Sequence, residues 1–235
     1  MFGKKQKQVL LWDNIDKRYD TPIADYLIPT QQLQPKWYKN LKQVVDSRSG
    51  MGNVKSCPSF QQLFRDSYSY ISPCDFEIEV ARQGHRIHQP DDIWWRTNTH
   101  TNIKNHPSQM GLEWDKDFYN VKFGPNIMIS TNVGKITIMS LPPFYYNPRS
   151  EIIIPPGVFD VTPSITLQLN INTFIDLKGI SIADSKTIKI KSGQPLAMLY
   201  LPQGVLDFEK TTLKEQPRKT FFGDYQNKLK KCPFH

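Results

Sequence analysis

Phe76-Glu77-Ile78-Glu79-Val80-Ala81 sets an apolar side chain at every second position, with a polar or small residue between. Successive side chains of an extended chain point to opposite faces, so this period of two predicts a strand with one buried face. Upstream the period is longer. Between Lys36 and Val45, Trp37, Leu41 and Val44 stand four and three apart behind Pro35, predicting a short amphipathic helix that buries those three. A second helical pattern runs through Phe60, Leu63 and Phe64 after Cys57-Pro58. Before them lie a short strand candidate, Val9 to Trp12, and a polar connection from Pro29 to Pro35.

Downstream, strand candidates crowd together at 119–123, 126–130, 135–141, 152–154, 165–174, 187–191 and 195–201. Gly124-Pro125, Asn132 to Gly134, Pro142-Pro143, Asn147-Pro148, Pro155-Pro156-Gly157 and Ser192-Gly193 punctuate them as turns. Many short strands without intervening helices predict a mainly β protein: an antiparallel β-sandwich, jelly roll or small barrel with two short N-terminal helices.

The 235 residues suffice for one such body, expected over 1–207 with its helical N-terminal segment. Residues 208–235 read as a basic aromatic C-terminal tail, in which Lys228, Lys230 and Lys231 accompany Phe221, Phe222, Tyr225 and Phe234. The tail aromatics predict docking across the body or against a partner. No run approaches the roughly 18 apolar residues that span a bilayer, and Met1 to Lys7 lacks the apolar stretch of a secretory signal. The expectation is a cytoplasmic protein with no membrane partner. Cys57, Cys74 and Cys232, odd in number and far apart, read as reduced thiols rather than a disulfide framework. A net charge of +8, from 30 basic and 22 acidic residues, leaves room for an acidic partner such as nucleic acid without demanding one.

Chemistry-bearing residues cluster in 82–113, which holds four of the five histidines. His85, His88, Asp91 and His106 could ligate a metal; the plainer reading is hydrogen-bonded surface histidines, because two residues rather than one separate His88 from Asp91. Trp94, Trp95 and Trp114, with Tyr68 and Tyr70, could stack sugars or bases, against the commoner fate of large aromatics in a core. There is no P-loop, dinucleotide fingerprint or nucleophile elbow, no complete catalytic motif, and no indicated cofactor.

Two resemblances add to this. Gly157, Val158 and Asp160, followed by the alternating 165–173 and by Gly193, Ala197 and Leu199, resemble the C-terminal β-unit of trimeric dUTPase-like proteins. That likeness implies a sheet topology and makes Asp160 a ligand-side candidate. It departs where Val161-Thr162-Pro163 replaces the family's Tyr-Arg-Gly type continuation and Met198 replaces its Gln. The order Pro35-Lys36-Trp37-Tyr38-Lys39, Lys55-Ser56-Cys57-Pro58, Ser72-Pro73-Cys74-Asp75, His106-Pro107-Ser108-Gln109 and Gly193-Gln194-Pro195 is similar to a family of uncharacterised proteins of tailed phages and marine bacteria. This second likeness implies a phage-encoded chain and carries no activity.

Three readings follow. The first is a non-enzymatic structural or interaction protein, oligomeric or part of a virion, whose partners are itself or other structural proteins. The alternative is an enzyme or small-ligand-binding protein on a dUTPase-like or cupin-like scaffold, with His88, Asp91, His106 and Asp160 in one cleft. The third is a nucleic-acid-binding module acting through the tryptophans and the tail.

Overall fold

The computed structural model describes residues 7–14, 20, 22–42, 44–46, 51–81, 84–88, 96–98, 118–124, 127–143, 145–146, 151–164, 166–169 and 171–213. The first strand, β1 (Leu10–Asn14), leads through a 3₁₀ turn to β2 (Leu27–Pro29). A second 3₁₀ turn, Thr30–Leu33, precedes helix α1 (Lys36–Asn40). The ribbon β3 (Val44–Asp46) and β4 (Met51–Gly52) separates it from helix α2 (Pro58–Arg65). Next come β5 (Ser67–Ile71), β6 (Phe76–Ala81), β7 (Gly84–His88), β8 (Arg96–Asn98), β9 (Phe118–Gly124), β10 (Ile127–Thr131) and β11 (Ile136–Leu141). The chain continues through β12 (Ile152–Ile153), β13 (Gly157–Val161), β14 (Leu167–Gln168), β15 (Ile171–Asp176), β16 (Ser185–Ile190), β17 (Pro195–Tyr200) and β18 (Phe208–Lys210).

These strands build two kinked layers. In one, the order β14-β10-β1-β18 goes with β12-β15-β9-β8, in which β9 pairs with β15 as β10 pairs with β14. In the other, β13-β11-β17-β5-β2 adjoins β16-β6-β7, because β5 runs on into β6 and β16 into β17. The layers face each other: Tyr68 of β5 meets Phe208 of β18 at 4.8 Å between ring centroids, and Phe76 of β6 meets Phe123 of β9 at 5.8 Å. The alternation that opens the sequence reading is met directly, since Phe76, Ile78 and Val80 are buried while Glu77, Glu79 and Ala81 are half-buried. At the kink the two chains lock together. Gly193, at φ +75°, donates its N–H to the Ser72 carbonyl at 2.8 Å, and Ser72 donates to the Gln194 carbonyl at 3.0 Å. Only a residue tolerant of positive φ makes this turn without strain.

Several expectations are corrected. The α1 helix is one turn long, and Val44 and Val45 lie in a strand; Leu41 takes extended angles, and its β-branched neighbours fit a ribbon better than a second turn. Because one turn has no long stripe to bury, Tyr38 becomes the buried residue of α1 while Trp37 stays 44% exposed. The 165–174 candidate is two strands, β14 and β15, in the two halves of one layer. Gly157, read as the end of the Pro155-Pro156-Gly157 turn, begins the edge strand β13. Phe208–Lys210, at the start of the compositional tail, is β18, and it runs parallel to β1 in an otherwise antiparallel architecture. Among the described residues the sheets are open, with edge strands, and form no closed barrel. Among the described residues no helix is long and apolar enough to cross a membrane.

Candidate functional site

The outer face of the five-stranded sheet carries a helical cap, and the sequence of β5 explains why a cap can sit there. Ser67-Tyr68-Ser69-Tyr70-Ile71 is buried on both faces. Tyr68 and Tyr70 enter the main core, as the plainer reading of these aromatics holds. Ser67 and Ser69 face the cap and form a buried hydroxyl row: Ser67 donates to the Leu63 carbonyl at 2.5 Å and lies 2.9 Å from Thr30 Oγ1. Thr30 Oγ1 lies 3.1 Å from Ser69 Oγ, and Ser69 donates to the Tyr146 hydroxyl at 3.4 Å. Burial pushes the Tyr146 hydroxyl pKa up, and the bond from Ser69 offsets this in part.

Over that row stands a second, separate aromatic cluster. Phe64 is in contact with Tyr38 at 5.1 Å, Phe60 at 5.0 Å and Tyr145 at 5.9 Å between centroids. Pro58 at the first position of α2 starts the helix that supplies Phe60 and Phe64 on one face. At its C-terminal end Arg65 grips the buried Asp66 carboxylate with two hydrogen bonds of 2.8 and 2.9 Å, which lowers that carboxylate below its usual range. A depressed folded-state value means that this contribution is complete above about pH 4 and fades as pH falls through the folded value. Between pH 5 and 3 the wild-type melting temperature is therefore expected to fall more than that of D66N; equal falls would remove this role.

Trp37 crowns the cap. Its indole N–H donates to the Tyr145 carbonyl at 2.9 Å, and its ring meets Tyr38 edge-on at 5.8 Å and 89°. The ring is thus both exposed and oriented. Lys55 lies 5.7 Å over the Tyr38 ring and donates to the Lys39 carbonyl at 2.9 Å, while the Asn53 side chain bonds the Lys42 carbonyl. These contacts lash 36–42 to 53–55. Lys36, Trp37, Lys39 and Lys42 are exposed, and Lys55 is half-buried. No carboxylate among the described residues pairs with any of these four lysines. Elsewhere Lys7, Arg65, Lys135, Lys186, Lys189, Lys191 and Lys210 each have one. The cap therefore carries a fixed aromatic ring and four lysines that no described carboxylate neutralises.

The residues singled out from sequence lie elsewhere. Asp160 is exposed on β13, but Thr137 donates to one of its oxygens at 2.8 Å and Lys135 reaches the other at 3.2 Å. His85 and His88 sit in β7 opposite Val80 and Glu77. Asp91, His106, Trp94, Trp95, Trp114, Lys228, Lys230 and Lys231 lie outside the described residues. Among the described residues no group of three or more His, Cys, Asp or Glu side chains is placed to hold a metal ion. Cys57 is exposed and Cys74 buried, and no disulfide joins cysteines among the described residues. Sequence reasoning missed the Trp37 platform by assigning that tryptophan to a buried helix face. The legible signal was Lys-Trp-Tyr-Lys beside a stretch almost devoid of acidic residues.

Fold and site together define a β-rich protein with a basic aromatic surface. No family model matches the chain, and no curated protein matches it. Solved structures similar to it include a mutant dUTPase of Staphylococcus bacteriophage 80alpha with dUpNHpp, at 10% identity and a TM-score of 0.35, covering 88% of this chain and 89% of that one. The dUTPase from phage phi11 of S. aureus is similar at 11% identity and a TM-score of 0.31, covering 65% and 85%. A likeness this shallow transfers no activity.

Proposed function

We propose that this chain is a ligand-binding protein on a β-scaffold, and that its ligand is an anion bearing a flat ring, held on the Trp37 platform. The observation that carries this is the exposed Trp37 ring, fixed by the Tyr145 carbonyl and the Tyr38 edge on a cap whose four lysines no described carboxylate neutralises. A pre-oriented ring stacks a planar ligand at little entropic cost, and the lysines supply the counter-charge for phosphate or carboxylate. This favours the ligand-binding alternative over a shell component. No described feature favours a place in a virion. The edge that β13 offers to a further strand is bracketed by Pro155, Pro156 and Pro163 and carries Asp160, features that discourage strand addition.

Titration with deoxynucleoside triphosphates, followed by calorimetry, tests the reading. Base–aromatic stacking is worth about 1–3 kcal/mol, so W37A is expected to weaken binding by about tenfold while W37F recovers part of it. Equal affinity in W37A and wild type would sink the proposal, as would the absence of saturable binding both to the triphosphates and to a short oligonucleotide.

A further inference from the structure

We infer that the ligand of the Trp37 platform is single-stranded nucleic acid, held by stacking and phosphate contacts without base-sequence readout. This rests on the reading above and names the ligand class.

Three observations point the same way. First, the positive charge is spread rather than focused: Lys36 and Lys39 lie three apart on α1, Lys42 follows it, and Lys55 comes from the segment after β4. A single nucleotide concentrates its phosphates at one end of one base, whereas a strand presents phosphates on both sides of a stacked base. Second, an exposed ring on a one-turn helix suits an unpaired base. The α1 helix has five residues, about 7.5 Å at 1.5 Å per residue, too short to fill a major groove. A base inside a duplex has both faces covered by its neighbours, so stacking on Trp37 selects unpaired strands.

Third, the described residues of the cap leave no arginine fork open for base-edge recognition. Its described arginine, Arg65, spends its planar fork on Asp66. The other described cations of the cap are lysines, point charges on flexible stems that suit phosphates without geometric demands.

The test is fluorescence anisotropy of the full chain with a labelled oligothymidylate of about 15 nucleotides, the ribose equivalent, the matching duplex, and a deoxynucleoside triphosphate as competitor. Four phosphate contacts on a single strand predict a slope of log affinity against log salt near −2.8, about a 50-fold loss between 50 and 200 mM salt. The K36Q/K39Q/K42Q variant is expected to flatten the slope by about two. W37A should lower affinity by about tenfold with the slope unchanged, and W37F should restore part of it. Equal binding of the deoxyribose and ribose strands agrees with the inference, and a preference for one names the natural source.

Duplex binding as tight as single-strand binding would overturn the inference, as would oligonucleotide binding unaffected by both the lysine and the Trp37 variants, which would place it on the basic tail. Triphosphate bound as tightly as the oligonucleotide, and weakened by W37A, would overturn the polymer and leave the ligand-binding reading standing. Binding of neither would overturn both.

Discussion

Phe64→Ala is expected to destabilise the protein by about 3–5 kcal/mol and to loosen the cap before the sandwich. Phe64 is 1% exposed and lies at the centre of a ring cluster in contact with Tyr38, Phe60, Tyr145 and Tyr146. Removing its ring leaves a void that its neighbours can fill only by leaving their own contacts. Because this cluster is separate from the main core, the loss should register locally: amide exchange in α1 and α2 should accelerate well before that in β6 or β9. The Trp37 platform rests on Tyr38 and Tyr145, so the same variant should weaken ligand binding without touching the ligand. Hydrogen exchange and urea unfolding check this. A cost under about 1 kcal/mol, or uniform acceleration across the chain, would show that the cap is not an independent unit.

Phe123→Ala is expected to cost a similar amount, about 3–5 kcal/mol, with the opposite signature. Phe123 is fully buried on β9 and meets Phe76 of the facing layer edge-on at 65°. It lies in the continuous core that joins both layers, so no smaller unit can open to relieve the void. Unfolding should remain a single transition with a lower urea midpoint and an unchanged slope, and exchange should rise throughout the strands. A second transition, or protection retained in β5 and β17, would contradict the single-core account.

These two variants separate what was legible in the chain from what was not. Strands with one wet face announced themselves: β6 and β11 alternate, and one face of each lies in the core. The helix α2 was readable because Pro58, Phe60, Leu63 and Phe64 agree on its start and its face. The strand β5 was not, because Ser-Tyr-Ser-Tyr offers no contrast between a wet and a dry side when both are buried. The Trp37 platform was hidden for a related reason. Its spacing with Leu41 and Val44 suits a helix face, but periodicity cannot tell that the helix stops after one turn.

The sequence by itself determined the class of the fold, the position of most strands and turns, and the concentration of lysines around Trp37. These follow from local rules: side-chain period, the angles that Pro and Gly allow, and charge counted along the chain. Only the tertiary structure decided that β5 and β6 are a single path through a kinked layer, and that β18 pairs with β1 across almost the whole chain. It also decided which side of Trp37 stays open, because the Tyr145 carbonyl that fixes its indole comes from 108 residues away. Contacts between distant segments depend on which surfaces the rest of the fold has already covered, and no local pattern encodes that.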